Sequence, residues 1–280
     1  MSAVAPGSAE ITRGSKSNLA LAFIALPRGR RADMSVFYAF CRVVDDIADE
    51  PGDPRKKQAS LDAWRRALGE SFTGEPALAA EVRTLIAKHS LPVTELREII
   101  DGVEMDLHGT DYATWEALRV YCHRVASVVG LVSLRIFGCT DPRSRDYAES
   151  LGLALQLTNI LRDVGQDLAN EGRVYLPAED LARFGVTRDD LAANRRDERF
   201  LALMDFEAER AHELYEQARR AIPAADRRAL VAAQIMASIY RTLLVRMQRD
   251  RFRVFDRRYS LPKWRKAALI FREIVSSRLG

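Results

Sequence analysis

The chain has 280 residues, of which 48% are hydrophobic and 29% charged, with a formal net charge of +4 and three cysteines. This is the make-up of a globular protein long enough for one or two domains. No run of about 18 uninterrupted apolar residues is present to span a bilayer, and Cys41, Cys122 and Cys139, odd in number and unpatterned, read as reduced core residues of a cytosolic protein. The charge is uneven: Arg241 to Gly280 carries ten Arg and two Lys against Asp250, Asp256 and Glu273, a local +9 that leaves about −5 for the first 240 residues.

Met1 to Thr12 lacks a basic start followed by an apolar run. Residues 1–14 are therefore expected to be a disordered lead and not a signal peptide, ahead of one domain over 15–280. Helical periodicity then recurs to the end, and strand alternation does not. The pattern predicts helices over 17–25, 30–50, 54–71, 76–89, 93–108, 112–137, 143–169, 178–184, 197–221, 224–251 and 262–279. Leu26-Pro27, Pro51-Gly52-Asp53-Pro54, Gly74-Glu75-Pro76, Leu91-Pro92, Asp141-Pro142, Leu176-Pro177 and Ile222-Pro223 punctuate it as turns or helix starts. The fold class is all-α. A helix as apolar as 112–137 belongs at the centre of a bundle, where facing side chains can build metal and ligand sites.

Two of these helices place acids in apolar surroundings. Asp45 and Asp49 lie four residues apart in one, Asp163 and Asp167 in the other, so each pair shares a helix face. Tyr38, Arg42, Asp45 and Asp49 continue one stripe; Gln156, Asn159, Asp163 and Asp167 form a second. Paired acids on a helix are ordinarily a solvated face. A face that mixes acid, amide, guanidinium and phenol within an apolar helix is better suited to lining a polar pocket, and its carboxylates need a cation or a positive side chain to offset desolvation. Oxygen ligands without His or Cys point to Mg²⁺ or Mn²⁺, with substrate phosphates completing the shell. If the two faces oppose each other, metal and Arg neutralise a departing diphosphate, and the apolar bundle shelters the carbocation left behind.

Tyr38-Ala39-Phe40-Cys41-Arg42-Val43-Val44-Asp45-Asp46-Ile47-Ala48-Asp49-Glu50, with Gln156-Leu157-Thr158-Asn159-Ile160-Leu161-Arg162-Asp163-Val164-Gly165-Gln166-Asp167 and Gly172-Arg173-Val174-Tyr175-Leu176-Pro177, resembles the squalene/phytoene synthase family. The likeness runs from Ser15 to about Arg265, with Tyr121 through Gly130 and Ser238 to Tyr240 in support. It implies a single-domain isoprenoid synthase bundle that joins two prenyl diphosphates head to head (1′–1) through a cyclopropylcarbinyl diphosphate. It further implies metal binding by Asp45, Asp49, Asn159, Asp163 and Asp167, with Asp46 beside them. Arg42, Arg162 and Gln156 would contact substrate, joined by Asn18 and by Arg257 or its neighbour Arg258. Tyr38, Tyr121, Tyr175 and Tyr240 would sit near the reacting carbons. The N-terminal motif departs from the family pattern, reading Lys16-Ser17-Asn18-Leu19, where Asn18 can still donate to a phosphate.

Within the family, the motif wording is most like bacterial presqualene diphosphate synthases of hopanoid routes and their squalene-forming relatives. Farnesyl diphosphate is the expected substrate; phytoene or dehydrosqualene synthesis is the alternative. NADPH use stays open, because relatives that use it carry no Gly-x-Gly-x-x-Gly fingerprint. The rivals are a head-to-tail elongase, a di-iron bundle built on Glu209-Arg210-Ala211-His212, and a non-catalytic partner subunit. A di-iron bundle needs a second Glu-x-x-His, which His89, His108 and His123 do not supply. The basic terminal segment, interleaved with Phe252, Phe255, Trp264, Ile270 and Phe271, carries no nucleic-acid motif. It is expected to rest on the anionic inner leaflet of a membrane.

Overall fold

The computed structural model describes residues 7–14, 18–170 and 172–279, and the regular structure within them is helical. Residues 1–6, Lys16 and Ser17 lie outside the described residues. The expected disordered lead is corrected in part: α1 (Ser8–Gly14) is a helix, tied down by Ser8 Oγ donating to Glu81 at 2.6 Å and Thr12 Oγ1 donating to the Ser35 carbonyl at 3.1 Å.

A short α2 (Asn18–Ala22) leads through a 3₁₀ turn into α3 (Arg28–Asp49), which opens directly after Pro27. Next come α4 (Pro54–Ala67), capped by Asp53 accepting from the Arg55 amide, α5 (Ala79–His89) and α6 (Val93–His108). The expected helix over 112–137 begins at Thr114, whose hydroxyl caps α7 (Trp115–Cys122). It continues through a π turn, His123–Ser127, into α8 (Val128–Phe137).

Two glycines make room for that extra residue in the turn. A Cβ on Gly152 would stand 2.4 Å from Ser127 Cα, and one on Gly102 would stand 2.7 Å from Arg124 Cβ. Trp115–Phe137, at 23 residues, is long and apolar enough to cross a membrane. It packs instead between α3, α6 and α9, as a core helix must.

Helix α9 (Ser144–Ala169) is the axis of the molecule, packed most extensively on α12 (Glu198–Ala221) and also on α8 and α13 (Val231–Arg249). Between α9 and α12 lie α10 (Ala178–Phe184) and α11 (Arg188–Ala192), the latter absent from the sequence reading and closed by a Thr187/Asp190 capping box. Residues 224–230, expected as helix, form turns, and α14 (Lys263–Leu279) closes the chain against α13. The core includes the fully buried Phe37, Phe40, Tyr147, Phe200 and Phe252, with Phe40 edge-on to Trp64 at 5.2 Å. At about 25 cal/mol per Å² of apolar area, such side chains dominate the stability of the bundle.

Candidate active site

Helix α3 buries Met34, Phe37, Phe40, Val44 and Ala48, which rotates Arg42, Asp45 and Asp49 away from that packing. Helix α9 does the same with Leu157, Leu161 and Val164, leaving Gln156, Asn159, Asp163 and Asp167 on the remaining side. The two polar sides meet across a cavity of about 410 Å³. Arg42, Asp45, Asp49, Tyr121, Gln156, Asn159, Arg162, Asp163, Asp167 and Tyr175, all expected from the sequence, line it.

Each acidic face is held by arginines. Arg42 pairs with Asp46 and lies 3.7 Å from Asp45. Arg173 Nη1 reaches Asp49 at 3.0 Å while its Nη2 donates to the Ala48 carbonyl at 3.3 Å. Arg162 Nε donates to Asp163 Oδ1 at 2.8 Å, and Arg258 Nε lies 3.4 Å from the same oxygen. Asp45 is accessible through the cavity yet walled in by protein, so burial first and the neighbouring Asp49 second push its carboxyl up to about 7. Burial and Asp163 do the same to Asp167, again to about 7.

Asp106, near the end of α6, also lines the cavity and was not singled out from the sequence. It accepts from the Tyr175 hydroxyl at 2.8 Å and the Tyr121 hydroxyl at 3.0 Å. Burial raises its carboxyl to about 6 despite those bonds. Tyr112, Tyr121 and Tyr175 form an aromatic cluster around it, with ring centroids 5.3 to 6.3 Å apart. A lone acid near a helix C-terminus carries no periodic signal, and only the fold brings the three phenols to it.

Besides Asp46, which is taken up by Arg42, four expected residues stand outside the cavity lining. Tyr38 is buried edge-on to Phe23 at 6.2 Å and lies beside Arg42. Tyr240, on α13, lies beside Arg162. Asn18 sits on α2 with its Oδ1 buried and unpartnered. Arg257 pairs with Asp250 and lies 4.9 Å over the Tyr259 ring; the cation over Asp163 is Arg258. Adjacent arginines on a turn leave on different sides, a distinction sequence does not carry.

Gly165 allows this arrangement. A Cβ there would stand 2.6 Å from the Val254 carbonyl oxygen and 3.0 Å from Phe255 Cα, so only glycine lets the segment bearing Arg258 lie on α9. In the rival di-iron spacing, His212 bonds Gln248 at 2.7 Å.

The donor set suits a hard divalent cation. It consists of carboxylate and amide oxygens, and the buried Asn159 Oδ1 has no hydrogen-bond partner. Among the described residues no three acidic, His or Cys side chains close on a single point. The acids instead stand as facing pairs that leave coordination positions for phosphate oxygens and water.

The chain matches the family model described as squalene/phytoene synthase over residues 12–265. It is 37% identical to the 15-cis-phytoene synthase of Synechococcus elongatus over 92% of this chain and 88% of that one. Among solved structures it is similar to a dehydrosqualene synthase bound to a ligand, with TM-score 0.83 and 27% identity over 98% and 96% of the two chains. It is also similar to squalene synthase HpnC from Alicyclobacillus acidocaldarius, with TM-score 0.76 and 33% identity over 88% and 93%. With two opposed acidic faces in an all-α bundle and this coverage, the chain belongs to the squalene/phytoene synthase family of prenyltransferases, which condense prenyl diphosphates head to head.

Proposed function

We propose that the enzyme joins two farnesyl diphosphates to presqualene diphosphate and can carry this on to a C30 hydrocarbon. The opposed carboxylate faces across the cavity carry the reading: each is suited to one diphosphate, and the apolar core of the bundle packs behind them. Arg42, Arg162, Arg173 and Arg258 hold the phosphates and stabilise the charge of the leaving group. Asp106 fixes the Tyr121 and Tyr175 hydroxyls, and the faces of these rings stabilise positive charge on the departing carbon. Mg²⁺, with Mn²⁺ as a substitute, would be held by Asp45, Asp49, Asn159, Asp163 and Asp167 and would supply Lewis-acid neutralisation of diphosphate. The enzyme works in the cytoplasm, resting peripherally on an anionic membrane that receives its oily product.

A second reading, condensation of two C20 diphosphates to phytoene, is favoured by the name of the Synechococcus relative and by a 38% identical phytoene synthase of Mycobacterium tuberculosis. The C15 reading is supported by the two solved structures, named for dehydrosqualene and squalene. A product assay with farnesyl or geranylgeranyl diphosphate and Mg²⁺, with and without NADPH, separates them. Presqualene diphosphate unchanged by NADPH marks a first-step enzyme, and squalene only with NADPH marks a complete squalene synthase. Phytoene from the C20 substrate overturns the C15 reading, and no product from either makes the chain a non-catalytic partner.

A further inference from the structure

On the far side of α13 from Tyr240 lies a second cavity, of about 550 Å³, between α9, α12, α13 and α14. None of its lining residues lines the acidic cavity. Its floor is apolar and aromatic, with Tyr147, Leu151 and Tyr215, and its rim carries six arginines. Four of these are engaged: Arg219 and Arg241 with Glu216, Arg272 with Glu273, and Arg246 with the Ser260 carbonyl. Among the described residues Arg249 makes no ion pair and Arg265 covers the Trp264 ring without one, leaving two exposed cations with no acidic partner there at the mouth. Tyr147 is 2% exposed and its hydroxyl has no hydrogen-bond partner. That hydroxyl lies beside Glu273, which bonds Ser238, whereas Arg249 stands eleven residues, about 16 Å, farther along α13; the two unpaired guanidinium groups at that end of the cavity suit an anionic oxygen group attached to an apolar body.

The wall of this cavity continues onto an apolar face. Trp264, Ala268, Phe271 and Val275 fall at spacings of four, three and four along α14, with Trp264 68% and Phe271 72% exposed. On the helix period, Arg265 and Arg272 lie between that stripe and the cavity, while Ile270 and Ile274 face the bundle. Large aromatics outward and cations alongside are the arrangement of a helix that lies in the plane of an anionic bilayer.

We propose that the α12–α13–α14 cavity is a binding site for one anionic phospholipid, and that α14 seats the enzyme on the bilayer that supplies it. The lipid phosphate lies between Arg249 and Arg265, its acyl chain enters over Leu151 and Tyr215, and Trp264 and Phe271 enter the headgroup region. This rests on the peripheral-membrane reading above, and it adds a defined headgroup site to a general attraction.

The test is vesicle co-sedimentation of the full-length protein at low salt, using phosphatidylcholine with and without phosphatidylglycerol. The wild type is expected on the phosphatidylglycerol vesicles alone. R249Q/R265Q should weaken that binding about thirtyfold, and W264S/F271S should release the protein. Turnover of soluble substrate and helix content should be unchanged in both, since neither touches the acidic cavity. The control pair K263Q/R278Q removes two charges from α14 outside the cavity. Equal weakening by that pair sinks the lipid site while leaving peripheral attachment standing. Wild-type protein that ignores both vesicles sinks both readings. Displacement from vesicles by dilute inorganic phosphate assigns the cavity to a soluble anion, and a dimer dispersed by W264S/F271S assigns the stripe to a second copy; either result overturns the proposal.

Discussion

The two acidic faces share a spacing but not an environment. On α3 the side chains of Asp45 and Asp49 are 51% and 47% exposed, and their arginine partners come from the same helix and from the loop after α9. On α9, Asp163 and Arg162 are 15% and 11% exposed and bonded to each other as sequence neighbours. The α3 face is thus an open jaw and the α9 face a fixed one. Identical i, i+4 patterns are separated by what packs behind them, which here is Tyr240 and the 252–258 segment.

The sharpest way to break this comparison is to neutralise one acid on each face. Asp163→Asn should abolish turnover and also destabilise the fold by about 3 kcal/mol, because it strands a buried guanidinium. Asp45→Asn should abolish turnover while leaving the urea midpoint unchanged or higher, since its ionised carboxylate is disfavoured in the folded state. Equal stability losses in the two variants would erase the distinction. Next in size, Gly165→Ala pushes the Arg258 segment off the fixed face. It should lower kcat/KM about tenfold and cost about 1 to 3 kcal/mol, and a variant with wild-type kinetics would show that the close approach is dispensable.

A third carboxylate, away from both faces, gives the comparison a reference. Glu207 on α12 is fully buried beside Arg210 and Asp180, and burial pushes it up to about 8 from an ordinary 4.5. The native state therefore keeps a proton that the unfolded chain releases above about pH 4.5, so this contribution favours folding at low pH and is lost as pH rises toward about 8. Glu207→Gln should flatten that slope in urea unfolding between about pH 5 and about pH 8, leaving the pH dependence of the acidic faces. The smallest effect concerns Asp106: Tyr121→Phe and Tyr175→Phe should each cost about 1 kcal/mol of stability, and nearly additive losses would show that the two hydroxyls act independently.

Most of the helices were legible because proline and glycine mark their ends, as at Pro27, Pro54 and Pro177. What escaped depends on tertiary contacts. The π turn exists because Gly102 and Gly152 yield space from other helices, and α11 was too short to show a period and is set by its capping box. The paired acids of the site were legible from i, i+4 spacing. Asp106 was not, since the two phenols it binds lie 15 and 69 residues away in sequence. Arg257 and Arg258 are equivalent in composition, and only the path of the chain over Gly165 tells them apart.

The arginine–aspartate pairs also have a thermodynamic consequence. A lone cation entering the cavity finds Asp49 and Asp163 already neutralised, and a lone anion finds Arg162, Arg173 and Arg258 already engaged. When both arrive, each supplies the counter-charge the other releases, so the pairs part without leaving a bare charge. Affinity for one must then rise in the presence of the other, and by the same factor in both directions. The resting protein is thereby built to respond to the metal–diphosphate combination and to discount either ion alone.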